Sequence, residues 1–316
     1  MLQSGALASD PVAIAGAPAA PPRRSTRGAK LKLRRGVPLR DAILSAFRGI
    51  VLSARRHARA AEENPEQAVH EYRKSIRRAR SVLALLRPSL GRTATRGMTE
   101  ELRRAFRDTG LLRDRDVLVR TLSGLAGDDP VLFVEAAEFA ARLSEGPDRP
   151  APAKVLKGAA PIVKPLPAAL EVTMPREYST PDLERGLTRS FRRTRQALAR
   201  AVETRADADF HEWRKRVKEL RYQVELLASS GSRMLKRREK ALGELARELG
   251  SVTDISVLCR ELEALAQPAP DGHGAKLLER GRQLVRQRSD ELLTRGAELF
   301  AEEPRAFALR VLAERG

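Results

Sequence analysis

Apolar residues recur every three or four positions along most of the chain, which is the spacing of an α-helix that buries one face. These periodic stretches end at Gly or Pro, and no convincing alternation of apolar and polar residues marks a strand. The pattern therefore predicts an all-α protein. The predicted helices span 38–62, 66–87, 95–110, 114–126 and 130–144, then 181–204, 207–230, 232–249, 254–266 and 274–300.

The chain also repeats itself. Residues 69–88, VHEYRKSIRRARSVLALLRP, align without a gap with residues 210–229, FHEWRKRVKELRYQVELLAS. Further on, residues 102–122, LRRAFRDTGLLRDRDVLVRTL, align with residues 242–262, LGELARELGSVTDISVLCREL. Order and spacing predict an internal duplication, in which two helical bundles pack about a pseudo-two-fold axis and the functional surface is present twice.

Two stretches rich in Pro and Ala interrupt the helical pattern. Residues 1–36 hold Ala, Pro, Gly and Ser with a late basic cluster, and we predict a disordered basic arm there. Residues 145–180 are rich in proline, which no continuous helix would tolerate, so this stretch is predicted to be a linker. The first helical half is then 37–144 and the second is 181–316.

A turn is predicted at the same place in each half. Gly110 and Gly250 stand four residues before Asp114 and Asp254, a pattern typical of a glycine helix stop followed by an aspartate N-cap. An alternative role for Asp114 is to orient Arg113 towards a ligand.

Composition indicates an anionic partner. Lys and Arg number 60 against 41 Asp and Glu, a formal net charge of +19. The single Cys259 excludes an intramolecular disulfide and a Cys-based zinc site, and it is predicted to fill the core. No membrane span or signal peptide is recognised, which favours a cytoplasmic protein. No oligomeric state is indicated.

One face of each repeated helix is cationic, opposite an apolar stripe. An ordinary solvated surface is the alternative, but neighbouring like charges on a helix repel, and a bound anion would relieve this. Arg107 and Arg247 are matched between the copies and are further candidates. The two cationic faces consist of His70, Arg73, Lys74, Arg77 and Arg80, and of His211, Arg214, Lys215, Lys218 and Arg221.

The two repeated histidines are interpreted as anion ligands. Neither repeat has the carboxylate and imidazole spacing of a metal site, and the surrounding cations oppose a divalent metal. A phosphate oxygen would favour the imidazolium form, so proton uptake on binding is predicted. With no phosphate-binding loop, nucleophile or magnesium cluster recognised, we predict a noncatalytic protein with no cofactor and no metal.

The repeated H-E-[YW]-R-K-x-[IV]-[RK]-x-x-R helix, followed by L-x(7)-G-x(3)-D-x-x-V-L, resembles the CHAD family, the conserved histidine α-helical domains. The resemblance covers about residues 38–300. It implies two pseudo-symmetric helical bundles with a basic groove or pore, binding of inorganic polyphosphate, association with polyphosphate granules, and no catalysis. The family's R-D-x-D-V segment stands here as Arg113 to Val117, and it is degenerate in the second copy.

Other functions stay open on the sequence alone. The same cations and the basic arm would suit a nucleic-acid or nucleoid-associated protein, as a secondary partner. However, aromatics are only 4% of residues, and Tyr72 and Trp213 lie on the predicted core side, so few platforms for base stacking are expected. A phosphoanhydride-processing enzyme and a scaffold for acidic proteins are the remaining classes.

Overall fold

Twelve α-helices and no strands make up the residues described by the computed structural model, which are 36–110, 114–144, 150–228, 232–266 and 274–314. The predicted all-α class is confirmed. None of the helices in these ranges is long and apolar enough to span a membrane. The helices are α1 (Leu39–Arg59), α2 (Pro65–Leu90), α3 (Arg92–Arg107), α4 (Asp114–Ala126), α5 (Pro130–Ser144), α6 (Pro152–Val163), α7 (Leu166–Thr173), α8 (Thr180–Thr204), α9 (Asp207–Ala228), α10 (Arg233–Ala266), α11 (Ala275–Leu299) and α12 (Pro304–Ala313).

Local capping explains where the central helices begin. The side chain of Asn64 accepts a hydrogen bond from the backbone N–H of Gln67 at 3.3 Å, which satisfies one of the open donors at the start of α2. At the start of α8, Ser179 and Asp182 form a capping box, in which the Ser179 backbone N–H donates to Asp182 at 2.9 Å.

The predicted turn at Gly250 is wrong. Helix α10 runs without a break through Gly250, so Asp254 lies inside a helix and does not begin one. A glycine in a helix interior costs only about 1 kcal/mol relative to alanine, and packing outweighs that cost here. In the first half, α3 does end at Arg107 and α4 begins at Asp114, but Arg113 and the side chain of Asp114 lie outside the described residues.

The predicted linker contains two helices that belong to the core. Helices α6 and α7 pack against α1 and α3, and they bury Leu156, Val163, Leu166 and Leu170. Pro152 fits because it stands in the first turn of α6, where the backbone N–H has no helical partner. The proline content therefore divided this stretch into short helices without removing it from the fold. The predicted arm, except for Gly36, lies outside the described residues.

Both predicted halves contribute to the same main core. Helix α2 packs against α1 and α3 of the first half and also against α8 and α9 of the second. A smaller core joins α4 and α5 to the end of α10 and the start of α11, with Leu122 and Phe139 buried beside Leu258 and Leu277. The order of packing recurs, since α1 contacts α2 and α6 while α8 contacts α9 and α12. The duplication itself stays a prediction.

Hydrogen bonds fix the register between α2 and its partners in the second half. The Ser81 hydroxyl donates to the Glu219 carbonyl at 2.7 Å, and Gln223 donates to the Ser81 carbonyl at 3.2 Å. Arg78 forms an ion pair with Glu225, its Nε lying 3.2 Å from the carboxylate. These bonds connect α2 directly to α9.

Helix α8 lies along α2 in the opposite direction. The Ser89 hydroxyl donates to Asp182 at 3.0 Å, and one turn further Gly186 rests directly on the backbone of Leu85. Residue numbers therefore rise along α8 as they fall along α2.

Cys259 is buried, as predicted, and burial raises the pKa of its thiol.

Candidate anion-binding site

The cationic face of α2 is partly covered by α3. The guanidinium carbons of Arg73, Arg77 and Arg80 lie 4.0, 5.0 and 5.9 Å from the centre of the Phe106 ring. Arg73 is only 7% exposed, and it donates to the Thr109 hydroxyl at 2.9 Å and to the Phe106 carbonyl at 3.3 Å. The prediction of an open cationic surface is therefore wrong at Arg73, which holds α3 in place.

The remaining candidates on this side reach solvent to different degrees. His70 is exposed, and Arg77 is half-buried. Lys74 is half-buried and forms an ion pair with Glu71 at 3.2 Å. Arg107 is exposed and lies 3.7 Å from Glu100.

The cationic face of α9 packs against α10 through glycines. A Cβ at Gly250 would lie 2.8 Å from the Arg214 guanidinium, and one at Gly243 would lie 3.1 Å from Arg221 Nε. Glycine at these two positions thus gives the arginines room to lie on the helix. Arg214 donates to Asp254 at 3.3 Å.

Carboxylates of the chain itself compensate much of this second face. Arg221 donates to Glu239 at 3.1 Å from Nε and 2.9 Å from Nη2, and Lys215 lies 3.7 Å from Glu212. Lys218 is half-buried, and Arg247 is exposed on α10. The structure therefore places most of the predicted residues on α2 and α9, with Arg107 on α3 and Arg247 on α10. Several of them form contacts within the protein.

His211 begins this face of α9. The residue as a whole is exposed, but its ring is partly shielded from water, and this lowers the pKa of the imidazole. The charges of the nearby Lys215 and Arg214 lower it further. The free protein consequently favours the neutral ring. An anion bound beside His211 would act in the opposite direction and raise that pKa.

A second group of cations lies where the two halves meet. We call it the inter-helix arginine cluster. Its members lie on α2 and α3 of the first half and on α8 and α9 of the second, and the charge of some members lowers the pKa of others. Its members are Arg80 and Arg87 on α2, Arg92 and Arg103 on α3, Arg189 and Arg193 on α8, and Arg216 on α9.

The packing of α8 explains how the cluster forms. Asp182, Gly186, Arg189 and Arg193 follow one another at spacings of three and four residues, so they share one face of α8. The first two contact the end of α2, at Ser89 and Leu85. The following turns of α8 therefore place Arg189 and Arg193 beside α2, in the direction of α9 and its Arg216.

Burial, followed by neighbouring positive charge, lowers the pKa of three arginines of the cluster. Burial lowers the pKa of Arg80, and so does the charge of Arg103. Burial and then Arg189 lower the pKa of Arg87, while burial and then Arg216 lower that of Arg193. An arginine does not lose its proton in a protein, so these shifts mark positive charge that a bound anion would stabilise.

Carboxylates balance only part of this charge. Arg103 pairs with Glu100 at 3.2 Å, and Arg216 pairs with Glu219 at 3.2 Å and with Glu212. Seven arginines against three glutamates leave a surplus of four positive charges. Within the described residues, no ion pair is formed by the other five members, which are Arg80, Arg87, Arg92, Arg189 and Arg193.

Of these seven residues, only Arg80 belongs to the cationic faces that the repeat predicts. The others lie on α3 and α8 or outside the cationic faces of the repeat, and only packing brings them together. One available signal was the pair Arg189 and Arg193, two like charges four residues apart on one helix. Among the described residues, no group of three or more His, Cys, Asp or Glu gathers as a metal site would require.

Comparison with known proteins agrees with this architecture. A family model described as the CHAD domain matches residues 45–242. The crystal structure of the CHAD domain from the plant Ricinus communis is similar with a TM-score of 0.61 and 22% identity, over 87% of this chain and 96% of that chain. At this identity the likeness shows the fold. No curated protein matched the chain in this comparison.

Proposed function

The chain belongs to the CHAD domain family, and from this we propose that it binds inorganic polyphosphate without transforming it. The observation that carries the proposal is the inter-helix arginine cluster, with its surplus of four positive charges on half-buried and exposed side chains. Arginine suits this ligand because its planar fork can donate two hydrogen bonds to phosphate oxygens.

The aromatic residues of the repeated motif and beside the cations favour a ligand without bases. Tyr72 and Trp213, which belong to the repeated motif, are both fully buried. Phe106 is covered by three arginines. Proteins that bind single-stranded nucleic acid generally offer exposed rings for stacking, whereas a polyphosphate chain requires only cations and hydrogen-bond donors.

Binding without catalysis is part of the proposal. The cluster supplies cations, and its three carboxylates are engaged by Arg103 and Arg216, so neither a base nor a nucleophile is assigned there. Association with polyphosphate granules would follow from the same affinity. Fluorescence imaging of a tagged protein in cells with and without polyphosphate synthesis tests that association.

The deciding experiment compares polyanions of different chemistry. Long-chain polyphosphate, single-stranded DNA and double-stranded DNA of equal phosphate number are titrated into the full chain at several salt concentrations. Polyphosphate is expected to retain binding at physiological ionic strength after both nucleic acids have been lost. Equal affinities that fall together with salt would refute a dedicated polyphosphate site and favour nonspecific attraction to a basic protein.

A further inference from the structure

Helix α5 presents an apolar face to solvent. Phe133, Val134 and Val131 are 63%, 58% and 52% exposed. Ala137 and Ala141 follow Phe133 at intervals of four residues and are exposed on the same side of the helix. The opposite side of α5 is buried in the smaller core. A helix that is apolar on both sides is normally covered on both, so the exposed face indicates an interaction surface.

The charged residues around this face are mainly acidic. Asp128 and Asp129 directly precede α5, and Glu138 lies at the edge of the apolar face; all three are exposed. Arg142 is the only cation between residues 128 and 143. In a chain with a net charge of +19, this acidic and apolar surface favours a partner surface that is basic and apolar.

A groove between α1 and α7 has an apolar surface as well. Val51 and Leu52 of α1 line one side, and Pro167 and Ala168 of α7 line the other. Leu52 is 49% exposed, and Val172, one turn after Ala168, is 90% exposed. The groove therefore offers apolar contacts along both of its helices.

The charges beside this groove are opposite in sign to those beside α5. Arg48, Arg55 and Lys164 are among the lining residues, and Glu171 is the carboxylate among them. Glu171 accepts a hydrogen bond from Arg48 at 3.1 Å. Arg55 and Lys164 add two positive charges beyond that pair, so the groove is both apolar and basic.

We propose that the chain associates with a second copy of itself, the exposed face of α5 in one copy docking into the groove between α1 and α7 of the other. A helix laid into an apolar groove is a recurring mode of recognition. The two surfaces together hold five of the eight large hydrophobic side chains that are exposed among the described residues. Neither surface belongs to the inter-helix arginine cluster, and the association does not depend on polyphosphate.

Charge favours this contact over a symmetric one. Two α5 faces packed together would bring Asp128, Asp129 and Glu138 of both copies close to one another, and two grooves packed together would do the same for Arg55 and Lys164. Like charges across an interface oppose association. Contact between two different surfaces leaves one of each open, so copies join into a closed ring or an open chain.

Sedimentation velocity of the full chain, free of polyphosphate and nucleic acid, tests the proposal. The mass of the wild-type chain should rise with concentration at physiological salt to at least that of a dimer. The variant F133Q/V134Q alters only the α5 face, and L52Q/V172Q alters only the groove. Each variant alone should stay monomeric. Glutamine is a good helix former and all four positions are exposed, so circular dichroism should be unchanged.

Mixing the two variants distinguishes this contact from any other. F133Q/V134Q keeps an intact groove and L52Q/V172Q keeps an intact α5 face, so an equimolar mixture should form a heterodimer and nothing larger. The matched control is V202Q/L309Q, which replaces two apolar side chains of similar exposure on α8 and α12. It should associate as the wild-type chain does.

The variant R55Q/K164Q tests the contribution of charge. It lowers the net positive charge of the chain by two, which would strengthen association if general repulsion between basic molecules were the controlling factor. We expect the opposite result, a severalfold weaker association, because the acidic edge of α5 loses the cations that it meets in the groove.

Four outcomes would overturn the proposal. A wild-type chain that stays monomeric at every concentration would leave the two surfaces to residues 1–35 or to other partners. Association of either glutamine variant by itself would show a symmetric contact or a different surface. A mixture without heterodimer, or equal or stronger association of R55Q/K164Q, would show that α5 does not occupy the groove. None of these results bears on polyphosphate binding, which the polyanion titrations test separately.

Discussion

Substitution of Gly186 tests whether the close packing of α8 on α2 determines the position of the inter-helix arginine cluster. A Cβ at this glycine would lie 2.1 Å from the Leu85 carbonyl oxygen and 2.9 Å from the Leu85 Cδ1 atom. Ordinary van der Waals contact begins at about 3.4 Å, so Gly186→Ala must move the two helices apart by roughly 1 Å. The oxygen belongs to the backbone and cannot rotate away.

The expected cost follows from two opposing effects. Overpacking of a well-packed core costs about 1–3 kcal/mol, and a backbone clash should fall at the upper end of that range. Alanine recovers about 1 kcal/mol through its higher helix propensity. The net loss in the free energy of unfolding should therefore be about 2 kcal/mol, measured by urea unfolding followed by circular dichroism. Polyphosphate affinity should fall as well, because Arg189 and Arg193 move with α8.

Gly97 provides the matched control. It lies within α3, and a Cβ there would meet no atom within 4 Å. Gly97→Ala should therefore increase stability by about 0.5–1 kcal/mol and leave polyphosphate binding unchanged. Unchanged stability in Gly186→Ala, or an equal loss in both variants, would refute the argument that the contact between α2 and α8 determines the geometry of the cluster.

Three further predictions follow from the site and its supports. Phe106→Leu should lower stability by about 1–2 kcal/mol in urea unfolding and weaken polyphosphate binding severalfold, because leucine lacks the ring that attracts the three guanidinium groups. Unchanged affinity would contradict a role of the ring in placing these arginines. A bound polyanion should raise the pKa of His211, which is lowered in the free protein, so binding should take up a proton. Affinity should increase as pH falls towards the lowered pKa of the free imidazole, below 6.5, and should level off beneath that pKa. His211→Ala should reduce the proton uptake measured by calorimetry in two buffers, and equal uptake in both proteins would exclude this role. Arg78→Leu should lower the free energy of unfolding by about 2 kcal/mol, because it leaves the half-buried Glu225 without its partner. The double variant R78L/E225L should lose less, and additive losses in urea unfolding would show that the pair is not coupled.

Helical periodicity was sufficient to predict α2 and α9, because each has a continuous apolar stripe opposite its charged face. It failed at Gly250 because local sequence cannot show that Arg214 of another helix packs on that glycine. It failed in the proline-rich stretch because α6 and α7 are short, and burial against α1 and α3 stabilises them.

The candidate site was predicted in part for a related reason. The repeated motif identified Arg73 and Arg80, since a motif is local in sequence. It could not indicate that Arg73 would be buried against Phe106, or that the charges of Arg103 and Arg216 would lower the pKa of Arg80. Those relations depend on the packing of α3 and α9 around α2, which the sequence determines only through the whole fold.

The smaller core, in which α4 and α5 of the first half pack on α10 and α11 of the second, also affects how far the halves can move. Domains that rock about a hinge have few contacts across their boundary and fold independently. Here a fragment ending at residue 144 would expose Leu122 and Phe139 to water, and one beginning at residue 181 would expose Leu258 and Leu277. The shared core couples the folding of the two halves and opposes hinge motion between them, which favours a constant separation of the arginines of α2 and α8. On the proposed function, selection among phosphate chains would therefore depend on the spacing of the arginines and not on closure of one half on the other.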